Sequence, residues 1–474
     1  MKKYFFLIIY FVVSGCSVNP VTGKQDFVLI SENEEIAIGK RYHQKILQQN
    51  SPYLDNDLQA YVQRIGDSLA SKSHRPNLFY RFTVLDSPNI NAFALPGGYI
   101  YINRGLMAYL SSEEELAAVL GHEIGHVTAR HSVKQYSQSQ LFSILSTAIE
   151  INQGSTAGNL ATLASDVLLS GYGREMELEA DNLGAQYIYQ DGYSPEGMYE
   201  VLSVLKDQEI YSKEIAKKRG EEPSSYHGVF ASHPSNDKRL KEILAEVENS
   251  YPKGPSRTTD NYIKRIEGMV YGDSQESGVR RDNEFFHSEL DLYFLSLNDW
   301  EIINNPQSLL FISPKGEASL QIIVDDLNFR ESPKSFMDRL SSNHYQGKDL
   351  KVNGFDGYTA LSKKTGNEIR LAVIFKEKKV YTFFGFLKRG ADSFEEFDKS
   401  FLEIIGSFNK LDERGKKLSK PLRIKEYIVR KGDSYQSLAL ESSIPSNAEE
   451  QLRLLNGDFP DNSLVEGRRI KLVD

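Results

Sequence analysis

The pattern of apolar and polar positions divides the chain before any motif is considered. After the basic start Met1-Lys2-Lys3, residues 4–13 form an unbroken apolar run of ten. A membrane-spanning helix needs about 20 apolar residues, so this run is too short to span and has the size of a secretory signal's apolar segment. Residues 17–250 read as mainly helical, with one hairpin signal where 91–95 and 99–102 flank Pro96-Gly97-Gly98. Residues 116–127 are almost wholly apolar, which predicts a buried helix; Ser112 followed by Glu115 predicts a capping box at its start. Around 251–278 the text turns polar and contains Gly, Ser and Pro, as a connector does. Apolar runs at 309–312, 320–324 and 380–386 predict strands, and 394–408 a helix, so 285–410 reads as a small α+β domain. Residues 410–420 are basic and linker-like, and 424–474 form a last short module.

Charge and cysteine usage narrow the function. Lys plus Arg number 56 against 65 Asp plus Glu, a net charge of −9, which argues against nucleic acid as a partner. The single cysteine excludes an internal disulfide framework and any multi-cysteine metal cluster. That cysteine, Cys16, closes Val13-Ser14-Gly15-Cys16, which resembles a bacterial lipobox. The resemblance implies removal of residues 1–15 as a lipoprotein signal peptide and a lipid on Cys16. With Ser17 next, it implies a bacterial envelope protein anchored in the outer membrane and facing the periplasm.

The candidate chemistry is Gly121-His122-Glu123-Ile124-Gly125-His126, a His-Glu-x-x-His motif on the predicted buried helix. Two His four residues apart lie about 40° apart around a helix, one turn apart on one face. His122 and His126 can therefore meet one metal ion, while Glu123, offset by one residue, reaches water beside it. Ala117, Gly121 and Gly125 form a small-residue strip that would admit a second backbone. A catalytic zinc usually takes three protein ligands. Arg174-Glu175-Met176-Glu177-Leu178-Glu179-Ala180-Asp181 offers the third. On a helix Glu175, Glu179, Asn182, Gln186 and Gln190 share one polar face, and Glu177 lies opposite beside Asp181, Gly184, Ala185 and Ile188. A carboxylate on that apolar face needs a special partner, either zinc or a core Arg. Asp181, one turn on, can orient a ligand His.

His-Glu-x-x-His followed by Glu-x-x-x-Asp resembles zinc metallopeptidase family forty-eight. That family includes the CAAX prenyl proteases, the HtpX-like membrane proteases and periplasmic lipoprotein quality-control proteases. The resemblance extends over 17–250. It includes Asn19-Pro20-Val21-Thr22-Gly23, the hairpin at 91–104, Arg130-His131, and Ser232-His233-Pro234 with Arg239. It implies a mainly α-helical zincin-type metallopeptidase domain with a small β-hairpin or sheet. It also implies one Zn2+ per chain on His122, His126 and Glu177, with Glu123 as the base acting on zinc-bound water. His233 and Arg239 correspond to a catalytic-site His and Arg of the family, candidates for stabilising the oxyanion. The His can also occupy the fourth zinc position and hold the enzyme latent. Asn91, Ala92, Phe93 and Ala94 resemble the edge strand that holds an extended peptide.

Residues 424–474 resemble a LysM domain, a βααβ binder of glycans such as peptidoglycan, on Gly432-Asp433-Ser434, Leu455-Asn456-Gly457 and Gly467-Arg468-Arg469-Ile470. Residues 285–410 resemble the PsbP-like companion region of similar lipoprotein proteases. The expected organisation is a signal at 1–15, a zinc metallopeptidase domain at 16–255, a linker at 256–284, an α+β domain at 285–410, a linker at 411–423 and a LysM-like module at 424–474. The expected function is a lipid-anchored zinc endopeptidase acting on unfolded or misassembled envelope proteins. The alternative is an envelope chaperone or scaffold whose metal site is structural or latent. Residues 138–170 read as helix, joint and helix: a lid over the cleft, a surface that touches membrane or a partner, or ordinary core helices.

Overall fold

The computed structural model describes residues 16–139, 171–219, 233, 237–251, 261–305, 307–327, 330–364, 367–388 and 393–474. The expected signal at 1–15 lies outside the described residues, as does all of 138–170 except its first two positions. Two compact units result, one drawing on 1–269, 423–442 and 447–474, the other on 270–422 and 443–446. No described helix is long and apolar enough to cross a membrane.

The first unit begins with a hairpin, β1 (Cys16–Val18) paired with β2 (Gln25–Phe27). The Asn19 side chain organises its turn by accepting from the N–H groups of Val21 and Thr22 at 2.8 and 3.0 Å. Helix α1 (Glu32–Gln49) starts with a full capping box between Ser31 and Glu34, and α2 (Asn56–Ala70) is capped by Asp55. A three-stranded sheet follows, in which β5 (Tyr99–Asn103) lies between β3 (Arg81–Leu85), parallel to it, and β4 (Ala92–Leu95), antiparallel to it.

The outer edge of β3 is closed by two amides from α2. Gln59 accepts from Val84 N–H at 2.9 Å and donates to Val84 O at 2.8 Å; Gln63 accepts from Phe82 N–H at 2.9 Å. These side chains satisfy backbone groups that would otherwise recruit another strand. No described strand pairs with the other side of β4.

After the short α3 (Arg104–Tyr109) comes α4 (Glu113–Thr128), buried at every position except Glu114. Ser112 accepts from Glu115 N–H at 3.1 Å, as its capping role predicts. The Glu115 carboxylate departs from a capping box, because it accepts from Ser111 N–H at 2.9 Å, one residue before the cap. Residues 131–139 are helical, and helices α5 (Arg174–Gln190), α6 (Glu196–Arg219) and α7 (Asp237–Ser250) follow among the described residues. The small-residue strip of α4 faces α5. An added Cβ on Gly125 would stand 2.9 Å from Ala180 O, and one on Gly184 2.9 Å from His122 N, so the two backbones are nearly in contact.

Where a connector is expected at 256–284, the structure has a helical turn, Tyr262–Arg265, whose buried Tyr262 donates to Met107 O at 2.7 Å. The predicted linker at 411–423 contains a helix, Glu413–Leu418, capped by Asp412. The last module has the expected strand–helix–helix–strand order. Leu422–Ile428 pairs antiparallel with Arg469–Val473, with Tyr435–Glu441 and Ala448–Leu455 between them. Residues 423–442 and 447–474 group with the first unit.

The second unit is α+β. Its seven-stranded antiparallel sheet includes Ala318–Asp326, Asn367–Lys376 and Lys379–Leu387, with helices Pro333–Leu340 and Phe394–Gly406. Phe294, Phe311, Phe383, Phe401 and Phe408 are fully enclosed in its core, and Trp300 lies at the margin of the same cluster.

Candidate metal centre

Burial of α4 forces its two imidazoles to find partners inside the bundle, and α5 and α7 supply them. His122 Nε2 and His126 Nε2 converge to 2.9 Å, as their four-residue spacing on one helix face requires. From α5, Glu177 brings a fully buried carboxylate to 3.6 Å from His122 Nε2 and 3.5 Å from His126 Nε2. Glu175 is exposed, so the helical-face distinction between these two acids matches their positions. His233 enters from the chain before α7, with Nδ1 3.0 Å from Glu177 and 3.2 Å from His122 Nε2. Ligand atoms of His122, His126, Glu177 and His233 all lie within 4.8 Å of one another.

Around this group a set of charges holds each member in place. Asp181 accepts from His122 Nδ1 at 2.9 Å. Arg239, 2% exposed, donates to both Asp181 oxygens at 2.7 and 2.8 Å and to Glu177 at 2.9 Å. Its guanidinium is therefore engaged by two carboxylates, which makes it a brace for the ligand set. Burial pushes the Asp181 carboxyl up, but Arg239 and the bond from His122 more than offset this and hold it below the usual range. Burial likewise raises Glu177, and His233, His122 and Arg239 bring it below its ordinary value. Burial pulls His233 down, while Glu177 and Glu123 overcome that and raise it to about 9.

Glu123 is the exception. It is fully buried, burial raises its pKa, and its Oε2 has no hydrogen-bond partner among the described residues. His233 Nε2 is similarly unpartnered, 3.5 Å from the other Glu123 oxygen. Orphaned buried polar atoms are rare in folded proteins and point to a group that completes the site. Two imidazoles and a carboxylate with a fourth donor at hand are a zinc donor set, so the residues present fit the metal.

Ala92 of β4 lines a small, largely apolar pocket beside His122 and Glu123, together with Leu106, Val119 and Leu202. Phe93 turns away and stacks on Tyr101 with ring centroids 4.7 Å apart. Ala94 is buried and Asn91 half-buried at the strand's approach. Cys16 lies in β1, at the first described position.

Three neighbours have contacts that the sequence does not report. Tyr172 stacks on His126 with centroids 4.0 Å apart and an interplanar angle of 19°. His131 lies 2.8 Å from His126 Nδ1, and Glu179, assigned above to a polar face, reaches His131 at 3.1 Å. His131 is the fifth residue after His126, beyond the helix end, where periodicity no longer predicts direction.

Residues 56–247 match Peptidase family M48. A beta-barrel assembly-enhancing protease of Yersinia pestis is 28% identical over 273 residues, covering 54% of this chain and 53% of that protein. Its namesake in Escherichia coli K12 is 26% identical over 266 residues, covering 53% and 52%. The mitochondrial metalloendopeptidase OMA1 of Arabidopsis thaliana is 32% identical over 178 residues, covering 38% and 33%. The chain thus spans about half the length of the bacterial relatives it matches. The solution structure of cyanobacterial PsbP from Synechocystis aligns with 30% of this chain and 98% of its own, at 14% identity and a TM-score of 0.23, too low to carry its fold across. The family match falls on the segment that holds β4, α4 and α5.

Proposed function

We propose that the chain is a zinc-dependent endopeptidase that cleaves unfolded or misassembled proteins of the bacterial envelope. The observation that carries this reading is Glu123, a buried carboxylate with an unpartnered oxygen beside the His122, His126 and Glu177 donor set. A structural metal site has no use for such a group, whereas hydrolysis needs a base there.

His122, His126 and Glu177 would hold the zinc, which when bound supplies Lewis acidity towards water and the scissile carbonyl. Glu123 takes a proton from the attacking water and delivers it to the leaving amine. Its raised pKa suits both halves of that transfer. Asp181 and Arg239 keep His122 and Glu177 in position. β4 offers a backbone edge to an extended peptide, and backbone pairing selects unfolded clients over one sequence. His233, the fourth donor, holds the enzyme latent until it moves aside, since a catalytic zinc keeps one position open.

Bacterial relatives named as beta-barrel assembly-enhancing proteases support envelope clients. Val13-Ser14-Gly15-Cys16 supports a lipid on Cys16 and residence at the outer membrane facing the periplasm. Residues 424–474 are proposed as a peptidoglycan-binding, LysM-like module. Tyr435 is not its contact, because that ring is 1% exposed and its hydroxyl donates to Asp458 at 2.6 Å.

The purified chain is expected to carry about one zinc, measured by elemental analysis, and to cleave a casein substrate. Glu123→Gln is expected to keep the zinc and lose cleavage by at least about 100-fold, the scale of general-base catalysis. Retained cleavage in that variant would overturn the role of Glu123.

A further inference from the structure

We propose that His131 and Glu179 form a proton-fixing relay that holds His126 in the tautomer able to bind metal. This deepens the reading of the zinc site and rests on it. The relay runs from His126 Nδ1 to His131 Nδ1 at 2.8 Å, and from His131 Nε2 to Glu179 Oε2 at 3.1 Å. A carboxylate only accepts, so His131 Nε2 carries the hydrogen that Glu179 receives. A neutral imidazole has one N–H, which leaves His131 Nδ1 as an acceptor. His126 Nδ1 must then donate to it, and the lone pair of His126 is left on Nε2, the atom that faces His122 and Glu177. The reverse polarity, with the hydrogen on His131 Nδ1, would leave His126 Nε2 protonated and unable to ligate.

Local structure builds this contact deliberately. α4 ends at Thr128, Ala129 caps it, and Arg130 takes a left-handed φ of 58°. That conformation is costly for a residue with a side chain. It breaks the helix, a second helical run starts at His131, and His131, fully buried, meets His126 there. Arg130 is held there by a 2.9 Å bond from Nε to Glu35. Tyr172 fixes the His126 ring plane by stacking, with its hydroxyl 2.6 Å from Ser132 Oγ.

A common source for both orienting carboxylates follows. α5 supplies Glu177 as ligand, Asp181 as the direct acceptor for His122, and Glu179 as the acceptor for His126 through His131. The two metal imidazoles are thus oriented by one helix, one directly and one through an intermediate ring. His131 and Glu179 are positioning residues, since neither offers an atom to the metal group.

The test is zinc affinity of the full chain, by competition with a chelator, together with the imidazole tautomers by nitrogen-15 NMR. His131→Leu and Glu179→Leu are expected to weaken zinc binding about 10- to 100-fold, the range for groups that orient ligands. His131→Asn keeps an acceptor for His126, and Glu179→Gln keeps one for His131, so both should recover part of the loss. Equal losses in leucine and conservative variants would assign a merely structural role and overturn the relay, as would wild-type affinity in both leucine variants. If His131→Leu fails to fold, the half-buried Glu179 pair still decides. In metal-free wild type the His126 ring should carry its hydrogen on Nδ1; a hydrogen on Nε2 would overturn the proposal. Absence of zinc binding by wild type would instead refute the zinc reading, while the tautomer would still judge the relay.

Discussion

Glu175, Glu177 and Glu179 show how far a residue's role can be read from position on a helix. They alternate along one turn and a half of α5, yet the first is exposed, the second is sealed in the metal group and the third touches His131. Angular position separates Glu177 from the others, because an acid on the apolar face of a buried helix must have a partner. The structure gives it both kinds of partner, the donor set and a core Arg, since Arg239 reaches the same carboxylate at 2.9 Å. Glu179 was not legible in the same way. Its value depends on a ring delivered by the turn after α4, and no periodicity reports a contact between residues 48 apart in the chain. Glu177→Ala is therefore expected to weaken zinc binding by more than the roughly 10- to 100-fold typical of groups that only orient ligands. Glu175→Ala should leave it unchanged. Metal content after dialysis against a weak chelator reads both, and the opposite ranking would overturn the assignment of Glu177.

Among elements, the approach of α4 to α5 decides whether ligands from two helices can share an ion. The apolar run at 116–127 and its start at Ser112 are plain in the sequence because burial and capping are local demands. So is the hairpin of β4 and β5, which two glycines with positive φ, Gly97 and Gly98, allow to turn. The parallel pairing of β3 with β5 is not legible, nor are the amides of Gln59 and Gln63 on the β3 edge. These depend on which distant segments meet, and the period of a strand is silent on that. The glycine strip is intermediate: it announces a close neighbour without naming it. Gly125→Ala would set a methyl 2.9 Å from Ala180 O and 3.1 Å from Ala180 Cα, both backbone atoms. Separation of the helices should cost about 1–3 kcal/mol and lower zinc affinity, because Glu177 moves with α5 and the two His with α4. Gly173→Ala, at the N-cap of α5 with nothing within 4 Å of the added Cβ, meets no clash; it should cost about 1 kcal/mol as an unfavourable cap residue and leave zinc affinity unchanged. Thermal melts of the two zinc-free variants, followed by zinc titration, test the pair; a neutral Gly125→Ala would show that the contact has slack.

At the scale of the whole molecule, the succession of modules along the chain differs from their grouping in space. The C-terminal strand is not tethered at a distance from the peptidase domain. The ammonium of Lys471 is fully buried and donates to Ala108 O at 2.9 Å and Leu110 O at 2.6 Å, the carbonyls that end α3. A short helix leaves such carbonyls without internal partners, and here a cation from residue 471 satisfies them. Burial lowers the pKa of Lys471 and raises that of Glu115, and each charge steadies the other. Glu115 in turn binds Ser111 N–H at the start of α4, so the last strand of the chain is linked to the first turn of the helix that carries His122 and His126. Lys471→Met leaves both carbonyls buried without their donor, a loss of about 1–3 kcal/mol for each unsatisfied acceptor, and takes away the charge that steadies Glu115. Adding Glu115→Gln should restore part of that by removing the uncompensated charge. Amide exchange resolves the consequence. If the C-terminal residues support the metal helix, Lys471→Met should speed exchange at 423–474 and at 108–116 together, and the double variant should slow both. Faster exchange confined to 423–474 would mean that the module rests on the peptidase domain without holding up its active helix.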